Sequence, residues 1–513
     1  MMLLSEILNE LFGAVDTKTD AITLSYMGEA LSADDDRVAK LEIHSLELDS
    51  RKLASNSAFL AVKGSALDGR DYIESDAVKN ASLSVIFYEL NEMTEQHQAA
   101  ITKASCLCVG VLGLKKQLSL IASVFYDHPS QKLQVYGATG TNGKTSCCYI
   151  LAQAFNALGY KTAFMGTIGN GAPDALQPSP NTTLDAIALQ SQLAEFVEQG
   201  FTHICMEVSS HALDQYRAAA VDFYAVILTN LSQDHLDYHV TMEAYASAKK
   251  QLFTEFSPVL AVINVTDEFG REIQSETNAE FVVTFGNSDS SADVCSEDIV
   301  ATTKGLSFTI ESQTVDIDIQ SSLLGLVNVE NITLVATVLL ALGVDLSSIQ
   351  SSIADCHAAP GRMEMFSNES LPVVVVDYAH TPDAIRQALQ SCRVHCQGEL
   401  WIVFGCGGDR DQSKRALMGQ FAEQFADRVI LSNDNPRTEA PEKIFADISS
   451  GMSSIPEILE DRHEAIHFAI DQATTKDLIL IAGKGHEQGQ IFADTVLPFS
   501  DRDVVKKCLR LAA

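Results

Sequence analysis

A strand-like run from Leu133 to Ala138 leads into Gly137-Ala-Thr-Gly140-Thr-Asn-Gly143-Lys144-Thr145, and an apolar-periodic helix continues to Leu158, closed by Gly159. A turn of this kind, set between a strand and a helix, aims backbone N–H groups and the positive end of a helix dipole at one point. That point suits a phosphate. Lys144 would supply charge at the β and γ oxygens, and the Thr145 hydroxyl can hold Mg²⁺. The spacing departs from the usual phosphate loop, because the first-glycine position falls on Ala138 and the glycine stands one residue earlier, at Gly137. A glycine-rich turn without nucleotide is the plainer alternative, and the Gly-Lys-Thr ending in this context argues against it.

The 513 residues exceed what one hydrophobic core organises, and the pattern predicts three α/β domains. Residues 1–132 form the first, with strands at Ala58–Lys63 and Ser82–Tyr88 and a helix at Val111–Tyr126 that stops before Pro129. Residues 133–362 form the central P-loop-type domain, with strands at Phe201–Val208, Val221–Leu228 and Val259–Val265. The apolar run Ile332–Val344 is a buried core helix, short of the roughly 20 residues needed to span a bilayer. Ala359-Pro360-Gly361-Arg362 reads as a hinge, and Asn287–Ser296 as a polar loop. Residues 363–513 carry buried-type strands at Pro372–Asp377, Glu399–Gly405, Arg428–Ser432 and Asp477–Ala482, which predicts a doubly wound, Rossmann-like parallel sheet. It has no GxGxxG turn, so the sheet alone does not imply a dinucleotide.

Composition excludes several partners. A net charge of −33 disfavours nucleic acid and anionic lipid, so an anionic substrate must meet locally placed cations. Eleven scattered cysteines do not resemble a disulfide framework and fit a reducing cytoplasm. Met1–Gly13 carries Glu6 and Glu10 and no basic stretch, so it reads as a short amphipathic helix and not a signal peptide.

Glu207 ends an apolar strand, where a parallel sheet presents ligands, and is the candidate metal carboxylate; the plain alternative is an edge acid paired with a surface lysine. Asp234-His235-Leu-Asp237-Tyr-His239 is dense in polar ligands. His235 and His239 have a spacing that suits Zn²⁺ on a helix, but no third soft ligand stands at matching spacing, which favours His235 near Mg²⁺.

The cradle Gly140–Thr145, Glu207-Val-Ser-Ser-His211, Asn230-Leu-Ser-Gln-Asp-His-Leu-Asp237, Pro360-Gly-Arg-Met-Glu364 and Asp377-Tyr-Ala-His-Thr-Pro382 together resemble the motifs of the Mur ligase family. The resemblance runs through all three domains. Asp49-Ser50-Arg51, Phe59-Leu-Ala-Val-Lys-Gly64 and Asp68-Gly69 are similar to the family's UDP-MurNAc-tripeptide synthetases.

The resemblance implies a cytoplasmic, monomeric enzyme of cell-wall precursor synthesis. Such ligases use ATP and Mg²⁺ to convert a UDP-MurNAc-dipeptide carboxylate into an acyl phosphate, which the amine of an amino acid attacks. It implies ATP contacts at Gly137, Gly140, Thr141, Asn142, Gly143, Lys144, Thr145, Asn328, Asn331, Arg362 and Asp377, and metal positions at Thr145, Glu207 and His235. Lys249, in Tyr245-Ala-Ser-Ala-Lys249-Lys250, matches a lysine that similar ligases carry as a CO₂-derived carbamate, whose oxygens can hold Mg²⁺ where an ammonium would repel it. On the residues alone the two lysines read as a solvated pair on a helix. Lys144, Lys249 and His235 are the implied catalytic groups. Ser50, Asn181, Thr182, Thr183, Ser209, Gln215 and Arg217 match dipeptide contacts, and each can also be a cap or loop residue.

Asp434-Asn435-Pro436-Arg437 resembles the diaminopimelate-adding members. Arg437 can grip the second carboxylate of meso-diaminopimelate bidentately and would repel the ammonium that ends lysine. Arg410, Gly483 and Glu487 complete the implied pocket, with Glu487 facing the distal ammonium. Similar ligases show Asn-x-Asp-Asp after the strand ending near Asn264, and here Thr266 stands before Asp267. The rival expectations are a lysine-adding homologue, a folylpolyglutamate synthase-like ligase and a nucleotide-driven switch without ligation. A whole domain's length ahead of the cradle disfavours the second, and the third predicts phosphate release independent of amino acid. With cradle and Arg437 on different domains, closure around the acyl phosphate is expected.

Overall fold

Three sheets, each with its own core, organise the chain. The computed structural model describes residues 2–14, 21–64, 67–287 and 291–511. The opening segment is a helix, Leu4–Ala14, that buries Leu4, Ile7, Leu8 and Leu11 on one face; Met1 lies outside the described residues. A six-stranded sheet follows in the order Glu29–Ala30, Ile22–Tyr26, Leu107–Val111, Val85–Glu89, Ser57–Ala61, Ser45–Glu47. It packs against the helix Leu114–Phe125. This body is tied to the next by Ala186 and Ile187, which join its core, and by the hydroxyls of Ser119 and Ser130, which accept from the backbone of Ala220 and Asp222 at 3.0 Å each.

The central sheet has ten strands. Its middle runs Thr162–Gly166, His203–Glu207, Gln134–Thr139, Ala225–Leu228, Leu260–Asn264, all parallel. The cradle strand therefore lies between the strand that ends at Glu207 and the one that leads to Asn230, so three chemistry-bearing segments leave the sheet side by side at its C-terminal edge. Alternation fixes which face each residue joins. Tyr136 and Ala138 pack under the helices Lys144–Ala157 and Val327–Ala341, while Val135 joins the opposite core with Leu193 and Leu252. The far edge is an antiparallel meander, Val294–Thr302, Gly305–Ser312 and Asp316–Ser321. Strand residues 281–287 and 294–302 enter the tract expected to be a loop, and 288–290 lie outside the described residues.

The third sheet is parallel except for its edge strand Glu364–Phe366, in the order 364–366, 373–377, 478–482, 400–404, 428–431, 457–458. Leu478 and Leu480 face the helices Pro382–Arg393, Ser413–Phe425 and Pro441–Ser449; Ile479 and Ile481 face Arg462–Gln472 and Asp501–Cys508. Helices on both faces explain the unbroken apolar strands. Each fully buried Leu or Ile contributes about 1.5–3 kcal/mol relative to exposure. His395 joins this body to the central one: its Nε2 accepts from the Gly325 N–H at 2.8 Å and its Nδ1 donates to the Thr302 carbonyl at 2.6 Å.

Among the described residues no cysteine is joined in a disulfide. Among the described residues no helix is long and apolar enough to cross a membrane.

Candidate active site

The cradle is held by backbone conformations that need glycine. Gly140 sits at φ 148° and Gly143 at φ 83°, and a Cβ on Gly140 would lie 1.9 Å from the Thr229 hydroxyl. Gly143 precedes the helix Lys144–Ala157, so the helix N-terminus opens onto the turn. Loop and neighbouring strand end are laced together. Thr141 N–H donates to the Asn230 carbonyl and Asn142 N–H to Asn230 Oδ1, both at 2.9 Å, while Ser232 N–H donates to the Thr141 hydroxyl at 2.9 Å. The Asn230–His235 motif is thus the wall that shapes the phosphate turn. Gly137 does not share this role. It lies inside the strand Gln134–Thr139, where an added Cβ would meet the Phe223 ring at 2.5 Å, so packing alone already calls for its glycine.

A cleft of about 160 Å³ opens at the cradle, lined by Thr141–Ser146, Thr167, Thr182, Glu207, Ser209, Ser210, His235, Lys249 and Arg362. Most of the residues expected to touch ATP phosphates or metal meet here. The Glu207 carboxylate is buried, accepting from Thr167 N–H at 2.8 Å through Oε1 and from the Thr167 hydroxyl at 3.3 Å through Oε2. Gly166 makes room for it, since a Cβ there would sit 2.1 Å from Oε1. Thr167 and Ser146 line the cleft from outside the expected residues, and Ser210 lines it from within the Glu207–His211 motif. The signal for Thr167 was a Gly-Thr-Ile-Gly turn closing the strand that pairs with the Glu207 strand.

Two lysines converge on one oxygen. Lys144 Nζ donates to the Gly140 carbonyl at 2.8 Å and to Thr141 O at 2.9 Å, and Lys249 Nζ donates to the same Gly140 carbonyl at 2.6 Å. Lys249 is buried on the helix Met242–Thr254, with its ammonium 4.5 Å from the Tyr245 ring centroid. Burial first, and the neighbouring Lys144 charge second, hold Lys249 well below the ordinary lysine value. Lys144 is also lowered, mainly by burial. Lys250, one residue on, points the other way and pairs with Glu272 at 2.8 Å and Glu276 at 2.6 Å. Reading the two lysines as a solvated pair is therefore corrected: the helix has one outward and one inward lysine.

His235 reaches the cleft from a left-handed backbone position, φ 53°. The structure also brings His211 beside it, ring centroids 5.0 Å apart, and beside His239 at 5.4 Å. The third imidazole that the spacing lacked is thus supplied by the fold. His239 Nε2 is taken up by the Ser210 hydroxyl at 3.0 Å, and among the described residues no group of three such side chains is arranged to hold a metal. Burial and the adjacent imidazoles lower the His211 pKa.

The remaining expected residues fall into separate groups. Asn328 and Asn331 lie on the helix behind the cradle, bonded to each other at 2.8 Å, and Cys147 donates to Asn331 Oδ1 at 3.2 Å. Both Asp377 oxygens accept backbone N–H groups, from Met363 at 2.7 Å and Ala379 at 2.8 Å, which fixes the hinge. Arg362 leaves that hinge, stacks 4.6 Å over Tyr378 and enters the cleft. Thr183 donates to the Glu207 carbonyl at 2.8 Å and Arg217 to the Thr183 carbonyl at 2.8 Å, with Gln215 bonded to Arg217. Thr182 and Ser209 line the cleft, whereas Asn181 is exposed on the adjoining loop. Ser50 stands apart, in a short turn of the first body capped by Asp49. Thr266 is exposed beside Asp267, which caps the helix Glu268–Glu276 and accepts from Leu231 N–H at 2.9 Å.

In the third body, Asp434, Asn435 and Pro436 are buried and Arg437 is half-buried at φ 51°. Arg437 Nη1 donates to the Gly408 carbonyl at 2.9 Å and to the Asn435 carbonyl at 3.4 Å. Gly483 sits at φ 112°, where an added Cβ would lie 2.6 Å from Asp434 Oδ2. Burial raises the Asp434 pKa. Glu487 is bonded to Lys484 and Asn435, and Arg410 is exposed at the rim.

A glycine turn at a helix head, with a buried carboxylate at the mouth of the neighbouring parallel strand and two helix-borne lysines on the Gly140 carbonyl, has the form of a phosphate-binding α/β site. Residues 42–126 match the Mur ligase family catalytic domain, 138–339 the Mur ligase middle domain, and 361–485 the Mur ligase glutamate ligase domain. A UDP-N-acetylmuramoyl-L-alanyl-D-glutamate--2,6-diaminopimelate ligase of Haemophilus influenzae (strain 86-028NP) is 43% identical over 476 residues, 92% of this chain and 97% of the relative. One of Vibrio vulnificus (strain YJ016) is 41% identical over 93% of this chain and 96% of its own. A solved structure of a ligase with the same name aligns with TM-score 0.68 and 33% identity, covering 94% of this chain and 97% of the other. The chain belongs to the Mur ligase family.

Proposed function

We propose that the enzyme joins meso-diaminopimelate to the D-glutamate of UDP-MurNAc-L-Ala-D-Glu, converting ATP to ADP and phosphate, in cytoplasmic synthesis of peptidoglycan precursors. One observation carries the reading: the hinge couples the two halves of the chemistry. Arg362 lines the phosphate cleft, and its neighbour Gly361 lies so close to Gly485 and His486 that a Cβ would meet their backbone at 2.2 Å. The loop Gly483–Glu487 that bears on the amino-acid pocket is thus packed on the hinge of the nucleotide cleft.

A carboxylate is a poor acyl donor. In the reading, an oxygen of the glutamate carboxylate attacks the γ-phosphorus and ADP leaves, giving an acyl phosphate. The free amine of the amino acid then adds to that carbonyl carbon and phosphate departs, with one proton released from nitrogen. Lys144 and the cradle N–H groups offset charge at the phosphates. Thr145, Glu207 and His235 offer a hydroxyl, a buried carboxylate and an imidazole on one cleft, a donor set that fits Mg²⁺, which when bound neutralises phosphate charge. Lys249 suits carbamylation: a neutral amine attacks the carbon of CO₂ and releases a proton, and its lowered pKa beside Lys144 favours that neutral form. The product is an anion facing Lys144. Arg437 takes the distal carboxylate of the amino acid and Glu487 its distal ammonium.

Phosphate release from ATP, measured with UDP-MurNAc-L-Ala-D-Glu and each candidate amino acid, tests the reading. Release should require both substrates and be strongest with meso-diaminopimelate. Equal rates with lysine would overturn the specificity, and release without any amino acid would favour a nucleotide switch.

A further inference from the structure

The loop after the strand Leu478–Ala482 carries a lysine that none of this chemistry uses. Lys484 has no exposed surface, and its Nζ donates to Glu487 Oε2 at 2.8 Å and to Asn435 Oδ1 at 3.0 Å. Asn435 closes the triangle, donating through Nδ2 to the same Glu487 Oε2 at 3.0 Å. Its Oδ1 also accepts from Ile491 N–H at 3.0 Å, so the amide is oriented by donors on one side and an acceptor on the other. The bonds from Lys484 and Asn435 both end on Oε2, while the Glu487 side chain keeps 32% of its surface open.

We infer that Lys484 is a specificity-determining positioning residue: it anchors one oxygen of Glu487 and the amide of Asn435 from behind, leaving the other Glu487 oxygen to receive the distal ammonium of the amino acid. A glutamate fixed before the substrate arrives loses little further rotamer freedom on binding. The arrangement also keeps the Lys484 charge behind a carboxylate, where it does not repel an incoming ammonium. The Asn435 side chain is also a strut between Lys484, Glu487 and Ile491.

The inference rests on the proposed substrate, and the wild-type enzyme is the control for that reading. If wild type does not ligate meso-diaminopimelate, the reading fails and the inference with it. With an active wild type, Lys484→Met is expected to raise KM for meso-diaminopimelate about tenfold or more, with kcat and KM for ATP changed less than about threefold. In a Glu487→Gln background the same change should add less than about twofold, because the group it acts through is gone. Equal rises in KM for ATP and amino acid, or full additivity with Glu487→Gln, would overturn the inference. Should Lys484→Met fail to fold, Lys484→Gln keeps a donor without the charge, and the same split in its constants decides.

Discussion

Among the described residues two lysines are buried almost completely, and their surroundings are opposites. Lys249 exposes 1% of its surface and Lys484 none. Lys249 meets a carbonyl oxygen, an aromatic face and a second lysine, and the field of Asp234 offsets less of its charge than burial or Lys144 costs it. Lys484 meets a carboxylate and an amide oxygen. A buried cation is costly unless paired, so the two sites do different work. In the proposed reading the central body holds a lysine poised to react, and the third body holds one that orients its neighbours.

The largest effect should come from removing the reactive one. Lys249→Ala is expected to lower kcat about a hundredfold or more, the scale on which losing a preorganised charge-stabilising group acts. Added short carboxylates should restore part of the rate, whereas Lys484→Met should gain nothing from them. Rescue of both, or of neither, would erase the contrast.

Arg437→Ala comes next. A hydrogen bond to a charged group is worth about 1.5–3 kcal/mol, so KM for meso-diaminopimelate should rise roughly 10- to 100-fold. Discrimination against lysine should narrow, since the repelling cation is gone. A variant that keeps full discrimination would move the specificity to other residues.

Stability offers a sharper contrast, because the two lysines should give opposite signs. In CO₂-depleted buffer, Lys249→Met should stabilise the unmodified protein by about 1 kcal/mol or more, by removing an unpaired buried cation. Lys484→Met should destabilise it by about 1–3 kcal/mol, below the full cost of breaking a buried pair because Glu487 can rehydrate. The Lys249 pKa is lowered on folding, so between that lowered value and the ordinary lysine value the unfolded chain binds more protons. Stability of the unmodified enzyme should therefore rise with pH across that window, and Lys249→Met should flatten the slope. Urea unfolding as a function of pH reads both quantities.

The cradle was legible in sequence because its physics is local: Gly140 and Gly143 are needed for φ, and the helix follows at once. The three-sheet α/β plan was legible from apolar runs buried on both faces, such as Leu478–Ala482. What stayed hidden was assembled across the chain. Thr167 reaches Glu207 through strand pairing, and His211, on the short helix Ser210–Asp214, meets His235 at the head of the helix Leu236–His239. Lys484 meets Asn435 across 49 positions. The packing of Gly137 against Phe223 was hidden too, since in one dimension a strand glycine looks like the first glycine of a phosphate turn.

The smallest effect should belong to Lys250, and it isolates burial from sequence position. It stands one residue from Lys249 on the same helix, yet its ammonium bridges Glu272 and Glu276 at the surface. Exposed pairs of this kind contribute about 0–1 kcal/mol and weaken with salt, so Lys250→Ala should shift stability by less than about 1 kcal/mol at low salt and less still at high salt. Steady-state rates should stay within about twofold of wild type, since the side chain points away from the cleft. A loss comparable to that of Lys249→Ala would mean that the helix presents its other lysine to the chemistry, and the division between a reactive and a supporting lysine would have to be redrawn around Lys250.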